Sequence, residues 1–223
     1  MRTAVLISVL AALLALLVAR PAGTNTTGVE AVVKDERGKP VSDAVVSLTS
    51  PGAAAAPSKP PSAIMDQQNK EFVPFVLPVA AGTPVAFPNR DNIRHHVYSF
   101  SAAKRFELPL YIGTPATPVV FDTPGTVVLG CNIHDWMVGY IYVLATPYFG
   151  KTAEDGAARI ADVPAGTYEA RVWHPRLRAE TDKTVTPVTI APGEPARVTF
   201  AVTLKPDRRP PRRPGYEGAQ GGS

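Results

Sequence analysis

Short apolar segments separated by proline and glycine turns follow one another along most of the chain. In several of them every second residue would lie on one face, as Gly139, Ile141 and Val143 between Val138 and Ala145, and this period of two is typical of half-buried β-strands. We predict strands at Val29 to Asp35, Val41 to Leu48, around Met65, Phe72 to Val79, Thr83 to Phe87, Thr117 to Asp122, Thr126 to Cys131, Val138 to Ala145, Ala158 to Ile160, Thr167 to Val172, Thr184 to Ile190 and Ala196 to Leu204. The 24 prolines and the hydrophobic fraction of 45% fit the same interpretation, a β-rich protein with many loops.

The two ends of the chain have a different composition. Arg2 and the apolar run from Ala4 to Ala19 are typical of an export signal, predicted over residues 1–22, with an uncleaved membrane anchor as the alternative. Residues 205–223 are rich in proline, arginine and glycine, which predicts a disordered basic tail. Such a tail could also contact an anionic membrane surface. We therefore expect an exported, periplasmic protein.

The net charge of +4 changes this interpretation little, because the tail carries much of the positive charge. The folded part is close to neutral, so the sequence does not favour nucleic-acid binding.

The chain has one cysteine, Cys131, and its predicted role depends on export and on the residues that follow it. Exported proteins usually pair their cysteines in disulfides, so a single thiol there needs burial or a ligand role. His134 follows three residues later and Met137 three residues after that. A thiolate, an imidazole and a thioether are a soft ligand set, and one further histidine would complete the His₂Cys site with an axial methionine that binds copper.

Two adjacent histidines upstream, His95 and His96, can supply that further ligand. Neighbouring residues of a strand point to opposite faces, so only one of them can reach the metal, and the inward position of Val97 favours His95. The chain has four histidines in all, too few for a multicopper cluster. His174 lacks partner ligands nearby, so we expect a structural or solvated residue there.

The segment from residue 63 to 145 resembles a cupredoxin, and the amicyanin branch most closely. The resemblance runs through Phe72-Val73-Pro74, Ala81 to Asn89, His95 and Phe121 to Val127, and it ends at the loop Cys131-x-x-His134-x-x-Met137. It implies a Greek-key β-sandwich over residues 62–147 that binds one copper ion, cycling between Cu(I) and Cu(II), through His95, Cys131, His134 and Met137. It also implies that His134 lies near the surface, where redox partner proteins dock.

This segment departs from the family at two places. Residues 101–117 have no convincing counterpart, and His96 stands where most cupredoxins carry an asparagine. That asparagine supports the cysteine loop, and hydrogen bonds around the ligands tune a metal site. His96 is therefore open to three interpretations: a surface residue, a substitute donor or a pH-sensitive neighbour.

The flanking segments, residues 28–50 and 149–204, together resemble a carboxypeptidase-regulatory-like, transthyretin-type β-sandwich. The resemblance rests on Val33 to Leu48 and on Asp155 to Ala170. It implies a second small β-sandwich into which the copper segment is inserted after a proline- and alanine-rich linker at residues 51–61. The alternative is two sequential units, with the N-terminal hairpin belonging to the copper unit.

The sequence therefore predicts an all-β protein, a cupredoxin sandwich inserted into a second sandwich, that transfers single electrons in the periplasm. Protein groups would fill all four ligand positions, so we expect no enzyme activity. A copper-binding or delivery protein without a fast redox role is the alternative, and an envelope interaction protein with a structural copper unit is a third hypothesis.

Overall fold

The computed structural model describes residues 26–50, 59–178 and 184–207. The predicted signal at residues 1–22, most of the linker and nearly all of the basic tail lie outside the described residues. The strands are β1 (Thr26–Asp35), β2 (Val45–Thr49), β3 (Ala63–Ile64), β4 (Asp66–Gln68), β5 (Glu71–Val73), β6 (Val76–Ala80), β7 (Thr83–Ala86), β8 (His95–Ser101), β9 (Lys104–Tyr111), β10 (Val119–Phe121), β11 (Gly125–Gly130), β12 (Val138–Leu144), β13 (Phe149–Lys151), β14 (Ala157–Pro164), β15 (Gly166–Trp173), β16 (Val185–Ile190) and β17 (Ala196–Val202). Among the described residues, no helix has the length and apolar character needed to span a membrane.

The first two strands pair with the last ones and not with the strands between. One sheet has the order β14-β1-β17 and a second has the order β13-β2-β15-β16. Their apolar faces form one core, to which alternate residues of β1, Val29, Ala31 and Val33, contribute. We call this the outer unit. Since its two parts are separated along the chain by β3 to β12, the predicted all-β fold with one unit inserted into another is confirmed.

The turn after β1 forms where the sequence predicts it. The Asp35 carboxylate accepts hydrogen bonds from the N–H groups of Arg37 and Lys39, both at 2.9 Å. Gly38 has a φ of 76°, a left-handed conformation that costs glycine little.

The strands from β3 to β12 form the inserted unit. Its main sheet has the order β6-β12-β11-β8-β9, and a smaller sheet has the order β10-β7-β3. Their shared core includes alternate residues of β11 and β12, namely Val127, Leu129, Ile141 and Val143. For β12, the shared face of Ile141 and Val143 is the one that the sequence predicts. Cys131 lies at the end of β11 and belongs to the same core.

The outer face of the main sheet packs on the outer unit through aromatic residues. The rings of Tyr142 and Trp173 are stacked, with their centroids 4.4 Å apart and an interplanar angle of 9°. The Tyr140 ring lies 6.3 Å from that of Trp173, centroid to centroid, at an interplanar angle of 64°. The two units therefore meet at a packed aromatic interface.

Three local predictions differ from the structure. Residues 101–117, for which no element was predicted, contain β9, an edge strand whose Pro109 interrupts the sequence pattern. The predicted strand from Val41 begins later, at Val45, because Asp43 has a left-handed φ of 58°. The short strand β13 was not predicted either.

Candidate metal centre

The loop that carries three of the predicted ligands is closed by the sheet on both sides. Gly130 of β11 pairs with Val138 of β12, so residues 131–137 form a hairpin loop between adjacent strands. Inside it, the N–H of Met137 donates to the carbonyl of His134 at 2.9 Å. Residues close in sequence are therefore also close in space, because the loop begins and ends at paired residues of two adjacent strands.

Two imidazole nitrogens converge on the thiol of this loop. The Sγ of Cys131 lies 3.9 Å from Nδ1 of His95 and 3.7 Å from Nδ1 of His134. One potential ligand atom from each of these three residues lies within 4.8 Å of the others. Cys131 is 4% exposed and His95 fully buried, so the core holds this group in place.

The two adjacent histidines of β8 have different surroundings. His95 directs Nδ1 toward Cys131 and places Nε2 2.7 Å from Oδ2 of Asp91. His96 instead places Nε2 2.8 Å from Oε1 of Glu107, and its ring packs near Tyr98 at a centroid distance of 5.5 Å. Only His95 of this pair belongs to the group around the thiol.

Met137 lies at the end of the same loop and is buried, with 1% of its surface exposed. It belongs to the apolar cluster that also contains Cys131. Its thioether is a candidate for the weak axial ligand of a His₂Cys copper site.

The spacing of the three ligand atoms can be compared with the size of a metal ion. Metal bonds are typically about 2.0 Å to imidazole nitrogen and about 2.3 Å to a thiolate. The sulfur–nitrogen distances of 3.7 and 3.9 Å are shorter than the sum of two such bonds, so one ion bonded to Cys131, His95 and His134 would fit among these atoms. Their donor set is that of a His₂Cys copper centre.

The protonation of His134 also suits metal binding. Burial lowers its pKa below the usual 6.5, and the nearby charges of His95 and Lys70 act in the same direction, while Asp91 opposes them. The ring is therefore neutral at pH 7, with a lone pair available to a metal ion.

The site approaches the protein surface at His134. This ring is 8% exposed, and its neighbours Ile133 and Trp136 are exposed by 48% and 52%. The rings of His134 and Trp136 lie 5.3 Å apart. Trp136 therefore lies on the surface beside the candidate site.

Most of the basic side chains in the loop before β8 and at the start of β9 have intramolecular contacts. Arg90 pairs with Asp66 at 2.5 Å and Lys104 lies 3.6 Å from Asp122. The guanidinium carbon of Arg105 lies 6.0 Å from the centre of the Phe100 ring. Arg94 is exposed.

His174 lies in the outer unit, where its Nδ1 accepts the N–H of Arg176 at 3.1 Å. It is buried, with 5% of its surface exposed, and it is not part of the group around Cys131.

Two residues that shape this site were not predicted from the sequence. Asp91 contacts His95, and the Asn89 side chain ties the loop before β8 by donating to the carbonyls of Ile93 and Tyr111 at 2.8 and 2.9 Å. Asp91 precedes His95 by four residues, and a carboxylate this close before a candidate ligand was a usable signal.

Comparisons with known proteins found similarity to solved structures only. No protein-family model matches the chain, and no curated protein matches it. A purple cupredoxin from Nitrosopumilus maritimus is 25% identical over 36% of this chain and 96% of its own, with a TM-score of 0.32. An oxidized amicyanin variant is 20% identical over 44% of this chain and 99% of its own, with a TM-score of 0.34. A reduced Cu(I) amicyanin variant at pH 4 is 22% identical over 43% and 86%, with a TM-score of 0.33.

These neighbours are cupredoxins, the family that residues 63–145 resemble, but TM-scores this low carry no functional conclusion. The resemblance of the flanking segments to carboxypeptidase-regulatory-like domains is not supported by the comparisons and stays a prediction.

Proposed function

We propose that this protein carries single electrons with one copper ion bound by His95, Cys131, His134 and Met137. The observation that carries the proposal is the convergence of two Nδ1 atoms on one buried sulfur, at 3.9 and 3.7 Å. Copper supplies the chemistry by changing between Cu(I) and Cu(II). The protein holds the thiolate and both imidazoles on strand ends and a closed hairpin loop.

A ligand set held by the core favours electron transfer. Cys131, His95 and Met137 are each at most 4% exposed, so a change of oxidation state has little room to rearrange them. If the protein occupies all four ligand positions, substrate has no open coordination position. The proposed protein is therefore a carrier and not an enzyme.

The exposed side of His134 is where we place electron exchange. Ile133 and Trp136 form an exposed apolar surface beside the ring, and apolar patches of this kind are used for protein contacts. A redox partner that docks there would approach the copper through the His134 imidazole.

We also propose that the protein acts in the periplasm. Support comes from the signal-like residues 1–22 and from the single cysteine, which a ligand role would explain in an oxidising compartment. An uncleaved signal or the basic tail could add contact with the membrane surface.

The test is to express the chain from residue 24 onward, add Cu(II), and record the visible spectrum. We expect an intense thiolate-to-copper band that Cys131→Ser abolishes. Replacement of the two adjacent histidines gives a matched pair, in which His95→Gln should abolish or shift the band and His96→Gln should retain it. A colourless wild-type protein, or a band that survives Cys131→Ser, would contradict the proposal.

Electron exchange with a small redox mediator then separates the two candidate roles. Fast, reversible exchange is expected of a carrier. Tight copper binding with slow exchange would favour copper delivery instead.

A further inference from the structure

The candidate ligand His95 contacts a carboxylate on the side of its ring that faces away from the thiol. Oδ2 of Asp91 lies 2.7 Å from Nε2 of His95, while Nδ1 of the same ring faces Sγ of Cys131. An ionised carboxylate can only accept hydrogen bonds, so the ring proton must lie on Nε2. In the neutral ring, Nδ1 then keeps its lone pair for a metal ion.

Asp91 is itself held by a second structural element, the turn between β4 and β5. The N–H of Asn69 donates to Oδ1 of Asp91 at 2.7 Å, and the N–H of Lys70 donates to Oδ2 at 2.9 Å. Asn69 and Lys70 have left-handed φ angles of 55° and 60°, the conformation of a two-residue hairpin turn of type I′. The turn therefore directs two backbone donors at one carboxylate.

Further contacts keep the loop of Asp91 against this hairpin. The N–H of Asp91 donates to Oδ1 of Asn89 at 3.0 Å, and Arg90 forms an ion pair with Asp66 of β4. The backbone N–H of Arg90 donates to the carbonyl of Gln67 at 2.9 Å. Both oxygens of Asp91 are thus held in place independently of any metal ion.

We propose that Asp91 is a positioning residue, which holds His95 as the Nε2–H tautomer with Nδ1 directed at Cys131, and that the Asn69–Lys70 turn fixes Asp91. The inference rests on the proposed function in so far as His95 binds copper. Hydrogen-bonded partners of ligand histidines set the tautomer and the ring orientation, and their loss typically lowers metal affinity about 10- to 100-fold.

The neighbouring histidine offers a matched control. His96 has a similar contact, with Nε2 2.8 Å from Oε1 of Glu107, but the Glu107 side chain is 67% exposed and His96 lies outside the thiol group. Glu107→Ala therefore removes a carboxylate from a histidine that does not bind the metal.

The test combines histidine NMR on the metal-free protein with copper titration. In ¹⁵N-labelled wild-type protein at a pH where His95 is neutral, His95 should be the Nε2–H tautomer. Asp91→Ala should give a mixture of tautomers and weaken copper binding about 10- to 100-fold. Glu107→Ala should change only the His96 signals and leave copper affinity as in wild type.

A third variant separates position from charge. In Asp91→Asn the amide oxygen can replace Oδ2, where two donors meet, so His95 should keep its tautomer and lose less affinity than in Asp91→Ala. Equal losses of copper affinity in Asp91→Asn and Asp91→Ala would show that the charge of Asp91 causes the effect, and would overturn the positioning role.

Two further outcomes would also overturn the inference. One is a neutral His95 in the wild-type protein that carries its proton on Nδ1. This measurement does not depend on whether any variant folds. The other is an Asp91→Ala protein whose His95 tautomer and copper affinity are unchanged. If wild type binds no copper, the proposed function fails, but the tautomer of metal-free His95 still decides the role of Asp91.

Discussion

Two glycines on the paired strands β11 and β12 provide a test of how the candidate site is packed. A Cβ at Gly139 would lie 2.7 Å from Cβ of Phe72, an atom fixed directly to the backbone of β5. A Cβ at Gly130 would lie 2.7 Å from Cζ of Tyr98, the far end of a half-buried ring. The added methyl group and the overlap are the same, but the neighbour that must move differs.

The expected costs differ for that reason. Overpacking a core typically costs about 1–3 kcal/mol. Replacing glycine by alanine recovers about 0.4–1 kcal/mol by restricting the unfolded chain. Gly139→Ala should therefore destabilise the protein by about 1–2 kcal/mol, since Phe72 cannot move without its strand. Gly130→Ala should change stability by less than about 1 kcal/mol, because the Tyr98 ring can rotate toward solvent at the cost of its aromatic contacts.

Urea unfolding of the metal-free protein measures both changes from the shift of the midpoint at constant slope. Tyr98→Ala combined with Gly130→Ala is the control, because it removes the ring that the new methyl group meets. Two variants of equal stability, or a Gly139→Ala protein as stable as wild type, would refute the packing derived for this face of the sheet.

Two other substitutions test the interface between the units and the axial ligand. Burial raises the pKa of Tyr142 above its usual 10.0, against the opposing charge of Arg171, so the unfolded chain releases this proton first and stability falls as pH rises above about 10. Tyr142→Phe should therefore lose less stability than wild type between about pH 9 and pH 11 in urea unfolding, and a loss equal to that of wild type would contradict this. Met137→Leu should keep the thiolate-to-copper band and raise the reduction potential measured by voltammetry, because Cu(II) loses a donor; an unchanged potential would argue against an axial Met137.

Much of the fold could be predicted because its signals are local. The alternation of Val127 with Leu129 and of Ile141 with Val143 marks one buried face on each of β11 and β12, and both strands form there. The edge strand β9 escaped prediction because an edge strand tolerates proline and has less of its surface buried, so its pattern is weak. β2 is shorter than predicted because Asp43 has a left-handed backbone conformation, which the residue type predicts only weakly.

In the candidate site, too, some residues could be predicted from the local sequence and others could not. Cys131, His134 and Met137 could be singled out because they share one short loop. His95 required a second step, alternation along β8, and the structure places its Nδ1 3.9 Å from the thiol. Asp91 was missed because its importance depends on the turn at Asn69 and Lys70, more than twenty residues earlier in the chain.

The sequence by itself determined which groups are available: one thiol, a histidine and a methionine at loop spacing, and strands with one apolar face each. These properties depend on residue type and on neighbours within a few positions, so they can be recognised in the linear chain. Only the tertiary structure decided which atoms meet. The pairing of β1 with β14 and β17, and the contact of Asp91 with the turn at Asn69 and Lys70, join residues far apart in the chain. Such contacts form because sheets and cores bury several segments together, and local sequence patterns do not specify which segments those are.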